Sequence, residues 1–405
     1  MHRFITTLIF LIPLSCLVKL GETDPWYSQY FFASFFIFLA LAVNLLKFSK
    51  PVGLFAACAV CSSYFTAQHS AISLMTLVQF MGFTYLSYHI SSLKSLQRKT
   101  IFKALIGVFV LASVMMTLQI LNIDPIFSSI ADPTKDVIIG LSGSPNQFGL
   151  FMADMGVLSF IISPYLFLPA LVGLVCSKTS FTLVGFIIGA VFFLKVIQYN
   201  ILKYFLAVIA AMSLLFFIVV DQPSKYVFKE RISVWKNSLQ EVEKGVIQLT
   251  FRTNENTTIT KYHEGNHWFG FGLGSFMKLS PYSQKRYLDD IQEIKHFKEG
   301  PKDRMISRGA HVYEHAHNDY VETYFDMGRV GFTLLTILLI NVIRLYLTTP
   351  DKTTELHGYF SALMTHGISA LGIYTVHTAV SGLLLAAIFG LFMGEIRDGR
   401  TPKLG

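Results

Sequence analysis

Long apolar runs separated by short polar connections make up most of this chain. Most of these runs reach the roughly 20 residues that an α-helix needs to cross the hydrocarbon core of a bilayer. A spanning segment must satisfy its own backbone hydrogen bonds, which favours helices over open sheets. The pattern therefore predicts an all-α integral membrane protein with about 12 transmembrane helices. The predicted spans are 4–20, 27–47, 51–67, 71–90, 101–122, 146–162, 164–177, 180–195, 201–220, 322–347, 356–376 and 379–396.

The short connections differ in charge between the two sides of the predicted spans. One set is rich in lysine and arginine, whereas the opposite set has little more than Lys135 and Lys178. Positive residues accumulate in short cytoplasmic loops, so the first side, with both termini, is predicted to be cytoplasmic. Its basic residues are Arg3, Lys47, Lys50, Lys94, Arg98, Lys99, Lys103, Lys195, Lys203, Arg344, Lys352, Arg397, Arg400 and Lys403.

A long polar segment follows the ninth predicted span. Three regions result: spans 1–9 in residues 1–220, an extracytoplasmic loop in 221–320, and spans 10–12 with a cytoplasmic tail in 321–405. Loops of this length are usually functional. A weak helix is predicted from Tyr282 to Phe297. Earlier in the loop, apolar residues recur at alternating spacings of three and four, which predicts an amphipathic helix. They are Ile232, Trp235, Leu239, Val242, Val246 and Leu249.

Composition excludes several functional classes. Only 14% of the residues are charged and the mean hydropathy is +0.52, which excludes an ordinary soluble enzyme. The net charge of +8 is spread among short loops, so membrane topology explains it and no nucleic-acid partner is predicted. The four cysteines lie in apolar runs, which favours a buried core over a redox or zinc site.

The FGFGLGSF run contains Gly270, Gly272 and Gly274. It lacks the strand–turn–helix context of a nucleotide-binding loop. Nucleotide donors are also not expected outside the cytoplasm, where the loop is predicted to lie. These glycines therefore indicate turns or close packing.

The stretch from Glu314 to Phe332 combines titratable, aromatic and small residues where a polar segment becomes a span. An advance of about 100° per residue would divide a helix here into two faces. One face would have an imidazole above two glycines that another helix could approach closely; it comprises His317, Tyr324, Gly328 and Gly331. The opposite face would be charged and wet; it comprises Asp319, Glu322, Asp326 and Arg329.

The histidines of this region allow two chemistries. His311, His315 and His317 could approach a zinc ion together with Glu314, but no HExxH pattern is present, so neither a metal nor another cofactor is predicted. A neutral imidazole is suited to take a proton from a sugar hydroxyl near neutral pH. His317 is therefore a candidate general base, with a polar surface role as the alternative.

Other residues are candidates for phosphate binding or site support. Arg231 follows the ninth span and Arg308 precedes the histidines, and guanidinium forks pair well with phosphate oxygens. Lys178 lies between two apolar spans on the outer side, where a bare charge is costly. Contact with lipid headgroups is the alternative for the arginines, and snorkelling for Lys178. Asn146, in the GSPNQFG run, begins a helix, with capping as its alternative role.

These residues resemble the signature of a known family. His317 and Asn318 are followed by nine residues and then by Gly328-x-x-Gly331. The GSPNQFG run, the Arg231 and Trp235 pair and the FGFGLGSF run extend the resemblance over roughly residues 140–350. The pattern is similar to that of the bacterial O-antigen ligases, a group that includes O-antigen polymerases and protein O-oligosaccharyltransferases.

The resemblance implies an enzyme that transfers a glycan from an undecaprenyl pyrophosphate carrier to a hydroxyl, without a metal. It implies a location in the bacterial inner membrane, with a partly helical periplasmic loop between spans 9 and 10. His317 would be the base or a positioning group, and Arg231 would bind the donor pyrophosphate. Lys178 stands near the place where the family tends to have an arginine, and lacks the bidentate fork. The remaining candidates are Arg308 for phosphate, and His315, Asn318, Asn146, Gly328 and Gly331 as supporting residues.

Three functions remain open at this point. The leading hypothesis is a ligase that joins a lipid-linked polysaccharide to a lipid A–core acceptor. The alternative is a polymerase that joins lipid-linked repeats, whereas the absence of a large C-terminal polar region disfavours most protein O-oligosaccharyltransferases. A transporter or flippase is a third hypothesis, disfavoured because the predicted spans are almost free of charge.

Overall fold

The computed structural model describes residues 70–121, 144–197, 222–252, 258–276, 316–373 and 379–400, together with residues 123, 138, 140, 279 and 375. The helices of these ranges are α1 (Ser70–Ser92), α2 (Ser95–Ile120), α3 (Pro145–Ser159), α4 (Phe167–Ser177), α5 (Ser180–Val196), α6 (Gln222–Lys244), α7 (Asp319–Thr348), α8 (Thr354–Ser369) and α9 (Ala379–Arg400). A 3₁₀ turn, Pro164–Leu166, precedes α4, and the strands are β1 (Val246–Arg252) and β2 (Thr258–Glu264).

Membrane-spanning helices are present, as the apolar pattern predicted. Among the described residues, Ser95–Ile120, Asp319–Thr348 and Val380–Gly399 are long and apolar enough to cross a bilayer. The apolar helices α4 and α5 are shorter. The chain is therefore a mainly helical membrane protein. The predicted spans 4–20, 27–47, 51–67 and 201–220 lie outside the described residues, so the count of twelve stays a prediction.

The described residues within Val78–Asp221 and Ile340–Gly405 form one compact unit. Its helices approach closely where α5 meets α8. A Cβ on Gly189 would lie 2.0 Å from the Thr365 hydroxyl oxygen and 2.8 Å from the Ser361 carbonyl oxygen. Gly185 lies one turn earlier and also faces α8. Small residues at this four-residue spacing let membrane helices pack backbone to backbone.

Buried charge lies inside this unit, so the expectation of almost charge-free spans is wrong. Asp154 of α3 is fully buried, and its Oδ2 atom lies 2.7 Å from Nδ1 of the buried His366 of α8. Arg98 of α2 is also buried, and bonds to Asp398 at 2.5 Å and Glu395 at 3.2 Å. The charges are tolerated because each has an opposite or hydrogen-bonding partner.

The second unit includes Gln222–Leu339, and here the predicted loop helix is only partly correct. Helix α6 ends at Lys244, and Gly245 follows with a left-handed φ of 67°. Its N–H donates to the carbonyls of Glu241 and Val242, which is typical of a helix C-terminus closed by glycine. Val246 and Leu249 therefore belong to β1 and not to a helix.

Strands β1 and β2 form an antiparallel hairpin in which Val246 pairs with Glu264 and Arg252 with Thr258. The β1 residues VIQLTFR are rich in the β-branched and aromatic types that favour strands. The predicted helix from Tyr282 to Phe297 lies outside the described residues. The core of this unit consists of Val242, Ile247, Phe271, Phe276, Leu279, Ala316 and Phe325.

Candidate active site

His317 does not belong to the helix that follows it. Helix α7 begins at Asp319, and His317 precedes it with a left-handed φ of 50°. The projection that placed His317 on one helical face with Tyr324, Gly328 and Gly331 is therefore wrong. A left-handed non-glycine residue costs about 1–3 kcal/mol and persists only where surrounding contacts impose it.

Three side chains impose the conformation around His317. Asn318 caps α7, because its Oδ1 atom accepts the N–H groups of Tyr320 at 3.0 Å and Val321 at 3.1 Å. Before the histidine, the N–H of Ala316 donates to Glu322 Oε2 at 3.2 Å. The carbonyl of Ala316 accepts a 2.6 Å hydrogen bond from the indole Nε1–H of Trp235.

Trp235 links the histidine to the helix that carries Arg231. Both residues lie on α6, four positions apart, so their side chains share a face at about 5–6 Å between Cβ atoms. Arg231 is half-buried. The Trp235 contact therefore places the α6 face that includes Arg231 against the segment that precedes His317. The joint role of Arg231 and His317 stays a prediction.

The carboxylates of α7 are buried, so the prediction of a wet face is wrong. Glu322 and Asp326 have no exposed surface, and Asp319 is 4% exposed. Asp326 accepts the backbone N–H groups of Gly274 at 2.6 Å and Phe276 at 2.9 Å. Backbone donors in a buried turn need acceptors, and these carboxylates supply them.

Gly328 interrupts α7 at a position where only glycine fits. Its φ of 61° and ψ of −159° are far from helical values. The break frees backbone groups that pair with the FGFGLGSF segment: Phe271 and Gly272 donate to the carbonyls of Phe325 and Asp326 at 3.0 and 2.9 Å. Beyond the break, the N–H groups of Arg329 and Val330 donate to His267 and Trp268, each at 3.0 Å.

The partner of the two signature glycines differs from the expected one. A Cβ on Gly328 would lie 2.5 Å from the Gly270 nitrogen, so a turn and not another helix packs there. Gly331 meets Met327 of its own helix, 2.2 Å from the Met327 Cβ. Gly270, Gly272 and Gly274 have φ values of 72°, 101° and 75°. Their predicted role in turns and close packing is confirmed.

Lys178 and the GSPNQFG run pack together in the other unit. Lys178 ends α4 with a left-handed φ of 54°, and its side chain is exposed. The flanking Ser177 and Thr179 hydroxyls are buried and 2.9 Å apart. A Cβ on Gly149 of α3 would lie 2.1 Å from the Thr179 hydroxyl oxygen. Asn146 is the second residue of α3, after Pro145, and Ser144 is the N-cap. Asn146 is thus not the capping residue.

The family model described as O-Antigen ligase matches residues 165–336. Over these residues the chain is similar to the O-antigen ligase family. No curated protein matches the chain. The matched region contains Lys178, Arg231, His317 and both signature glycines, whereas Asn146 precedes it. The family match and the spanning helices together suggest a bacterial inner-membrane protein with glycosyltransferase-type activity.

Two candidate residues of the matched region, His315 and Arg308, lie outside the described residues, as does His311. Within the described part, no three histidine, cysteine, aspartate or glutamate residues come together as metal ligands would. The roles of His315, Arg308 and His311 stay predictions.

Sequence reasoning missed a charged cluster beside the broken helix. Glu243 of α6 accepts hydrogen bonds from the Tyr324 hydroxyl and, at 2.6 Å, from Arg329. These two bonds hold the pKa of Glu243 below its usual range, and the bond from Tyr324 has the larger effect. The Arg329 guanidinium lies over the Trp268 ring, 5.6 Å from its centroid. The spacing of Glu243 on α6 gives no hint of partners about 80 residues away.

Proposed function

We propose that this protein transfers an O-antigen glycan from undecaprenyl pyrophosphate to a sugar hydroxyl of a lipid A–core acceptor. The observation that carries the proposal is the Trp235 to Ala316 hydrogen bond. It joins the helix face of Arg231 to the left-handed segment of His317, inside the matched O-antigen ligase region.

Each residue then has a defined chemical role. The acceptor hydroxyl attacks the anomeric carbon of the donor sugar, the bond from that carbon to the pyrophosphate oxygen breaks, and the hydroxyl proton passes to the His317 imidazole. Proton transfer to a positioned base contributes about 10²- to 10⁴-fold in rate. The Arg231 guanidinium stabilises the charge that develops on the departing pyrophosphate, and cationic stabilisation of this kind is usually a large term.

A catalytic site outside the cytoplasm agrees with the charges at the described helix ends. Lys94 lies in the α1–α2 connection, Lys99 and Lys103 lie in the first turns of α2, and Lys352 follows α7. Positive residues favour the cytoplasmic side. His317, before the other end of α7, would therefore lie on the periplasmic side.

Lys178 is proposed as a second contact to the donor phosphate, through charge and without the bidentate geometry of arginine. Arg308 is proposed as a further phosphate contact, and His315 as a supporting residue. Neither a metal nor another cofactor is required by the roles assigned here.

The decisive substitution is His317→Asn. Asparagine tolerates a left-handed backbone better than most residues but is not a proton acceptor at neutral pH. Transfer from a purified lipid-linked donor to lipid A–core should fall by at least about 100-fold, at normal membrane levels. His89→Asn, in α1, is the matched control and should leave transfer unchanged. Undiminished transfer by His317→Asn would remove the catalytic assignment.

A gene deletion separates the ligase from the polymerase alternative. Loss of a ligase leaves lipid A–core bare and accumulates polymer on its carrier. Loss of a polymerase leaves lipid A–core capped with a single repeat, and that outcome would replace the leading proposal.

The buried Asp154–His366 pair favours transport as a second candidate, because ionisable residues inside membrane helices often mark ion or substrate pathways. Reconstituted vesicles test it. Movement of a lipid-linked glycan across the bilayer that Asp154→Asn abolishes, without glycan transfer, would support transport over ligation.

A further inference from the structure

Trp268 presents a fixed aromatic surface to its surroundings. Its side chain is 51% exposed although its backbone is held at both ends. The backbone N–H donates to Asn266 Oδ1 at 2.8 Å, and the carbonyl accepts from Val330 at 3.0 Å. A large exposed aromatic on a rigid backbone loses little conformational freedom when it binds a ligand.

Charged groups border this ring and restrain it. Arg329 lies over one face of the indole, 5.6 Å from the centroid. Its guanidinium is held by Glu243 Oε2 at 2.6 Å, and Glu243 also accepts the Tyr324 hydroxyl. The His267 ring is 5.4 Å from the indole at 45°. The Trp268 surface therefore combines a flat apolar face with a carboxylate, a guanidinium and a phenol beside it.

This combination matches the chemistry of a pyranose ring. One face of a pyranose presents C–H groups that pack on an aromatic plane, while its hydroxyls need hydrogen-bond donors and acceptors at the edge. A guanidinium offers donors only and a carboxylate acceptors only, so the Arg329 and Glu243 pair can satisfy both functions of vicinal hydroxyls.

The position along α7 indicates which saccharide would reach this surface. Arg329 directly follows the Gly328 break, on the side from which the apolar part of α7 continues, whereas Asn318 caps the opposite end of the helix. Phe332 follows and is 39% exposed, and from there apolar side chains face outward along the span, including Ile340 at 59%. An acceptor anchored in the membrane by its lipid must extend past this level for its terminal hydroxyl to reach His317. The donor glycan instead extends from its pyrophosphate away from the bilayer.

We propose that Trp268, Arg329 and Glu243 form a saccharide-binding subsite for the membrane-proximal sugars of the lipid-anchored acceptor. This inference rests on the proposed function. The competing role is that of an interfacial aromatic, since tryptophan is enriched where membrane helices meet water.

Two substitutions of Trp268 distinguish these roles in the full-length protein. Trp268→Phe keeps a flat ring, whereas Trp268→Leu keeps an apolar anchor without one. For a saccharide subsite, Trp268→Leu should raise KM for lipid A–core about tenfold, while Trp268→Phe stays within about threefold of the parent. KM for the lipid-linked donor should not change. Tyr165→Leu, at an exposed aromatic in the other unit, is the control and should change neither KM.

An interfacial anchor gives the opposite result. Trp268→Leu and Trp268→Phe would then have the same KM for lipid A–core, or both variants would lower the amount of protein in the membrane. Either outcome would overturn the subsite.

A binding measurement separates this inference from the proposed function. Delipidated core oligosaccharide is titrated into His317→Asn protein and into His317→Asn/Trp268→Leu protein. Binding that weakens about tenfold in the double variant supports the subsite. Absent binding, or equal binding by both proteins, overturns it. Retained transfer by His317→Asn, in contrast, sinks the catalytic proposal while the binding result still decides the subsite.

Discussion

The indole nitrogen of Trp235 donates a 2.6 Å hydrogen bond to the carbonyl oxygen of Ala316, 81 residues away along the chain. Trp235 also packs against the hydrophobic cluster that contains Ala316. The bond fixes the rotation of α6 relative to the histidine segment. It therefore determines which α6 residues lie on the face that contacts this segment, and Arg231 lies on that face.

Trp235→Phe should retain the packing of the ring and remove this bond. We expect a stability loss of about 1 kcal/mol. We also expect a loss of about tenfold in kcat/KM for glycan transfer, because Arg231 and His317 would no longer be held in a fixed position relative to each other. Ser238→Ala on α6 is the control, because Ser238 bonds only to the Val234 carbonyl in the described structure. Unchanged kinetics in Trp235→Phe would show that this contact does not position the site.

Gly328→Ala should destabilise the protein. The alanine would need a φ of 61° and would place its Cβ 2.5 Å from the Gly270 nitrogen. We expect a loss of at least about 2 kcal/mol, seen as a lower unfolding temperature in detergent. Gly399→Ala in α9 is the matched control, since its nearest neighbour would be a Thr349 methyl at 3.3 Å. Equal unfolding temperatures for the two variants would contradict the proposed strain.

Asp326→Asn tests the buried carboxylate. Both carboxylate oxygens accept backbone N–H groups, from Gly274 and Phe276. An asparagine would point an amide N–H₂ at one of these donors, and we expect a loss of about 2 kcal/mol. Chemical denaturation of the purified protein measures the change. A neutral effect would mean that the turn does not depend on these acceptors.

Asp154→Ala should destabilise the bundle more than Asp154→Asn does. The alanine leaves the buried His366 without its carboxylate, at a cost of about 3 kcal/mol, whereas the asparagine oxygen can still accept from the imidazole. A double-mutant cycle with His366→Ala, read by thermal unfolding, isolates the coupling. Additive effects would show that the pair contributes nothing beyond its separate residues.

The stability conferred by Glu243 should depend on pH. Its folded pKa is depressed by the Tyr324 hydroxyl and by Arg329. The ionised form is thus favoured by folding, so the contribution is present above the unfolded pKa of about 4.3 and is lost as pH falls through the folded value. The difference in unfolding temperature between the parent and Glu243→Gln should shrink as the pH falls from roughly 6 to roughly 3. A difference that grows on acidification would reverse the assignment.

Local patterns in the sequence predicted some features of this site and missed others. The spacing of Ile232, Trp235, Leu239 and Val242 predicted helix α6 because a helical period is set by nearby residues. Ile232 and Leu239 are nevertheless exposed, so only part of the predicted apolar face is buried. The same spacing continued into Val246 and Leu249, where Gly245 ends the helix and strand pairing decides the structure.

Partners distant in the sequence account for the other differences. Asp326 is buried because a segment 50 residues earlier supplies N–H donors, and no period within α7 records that segment. The left-handed backbone of His317 depends in the same way on Trp235.

The break at Gly328 also bears on the order in which the protein folds. The backbone groups of residues 267–272 pair with residues 325–330, which leave the ribosome later. Until α7 has been synthesised and inserted, the backbone groups of residues 267–272 lack these hydrogen-bond partners. Completion of the candidate site is therefore a late step that follows membrane insertion of α7. In a chain truncated before Gly328, the polar loop should reach the outer side of the membrane, but the candidate site should not form.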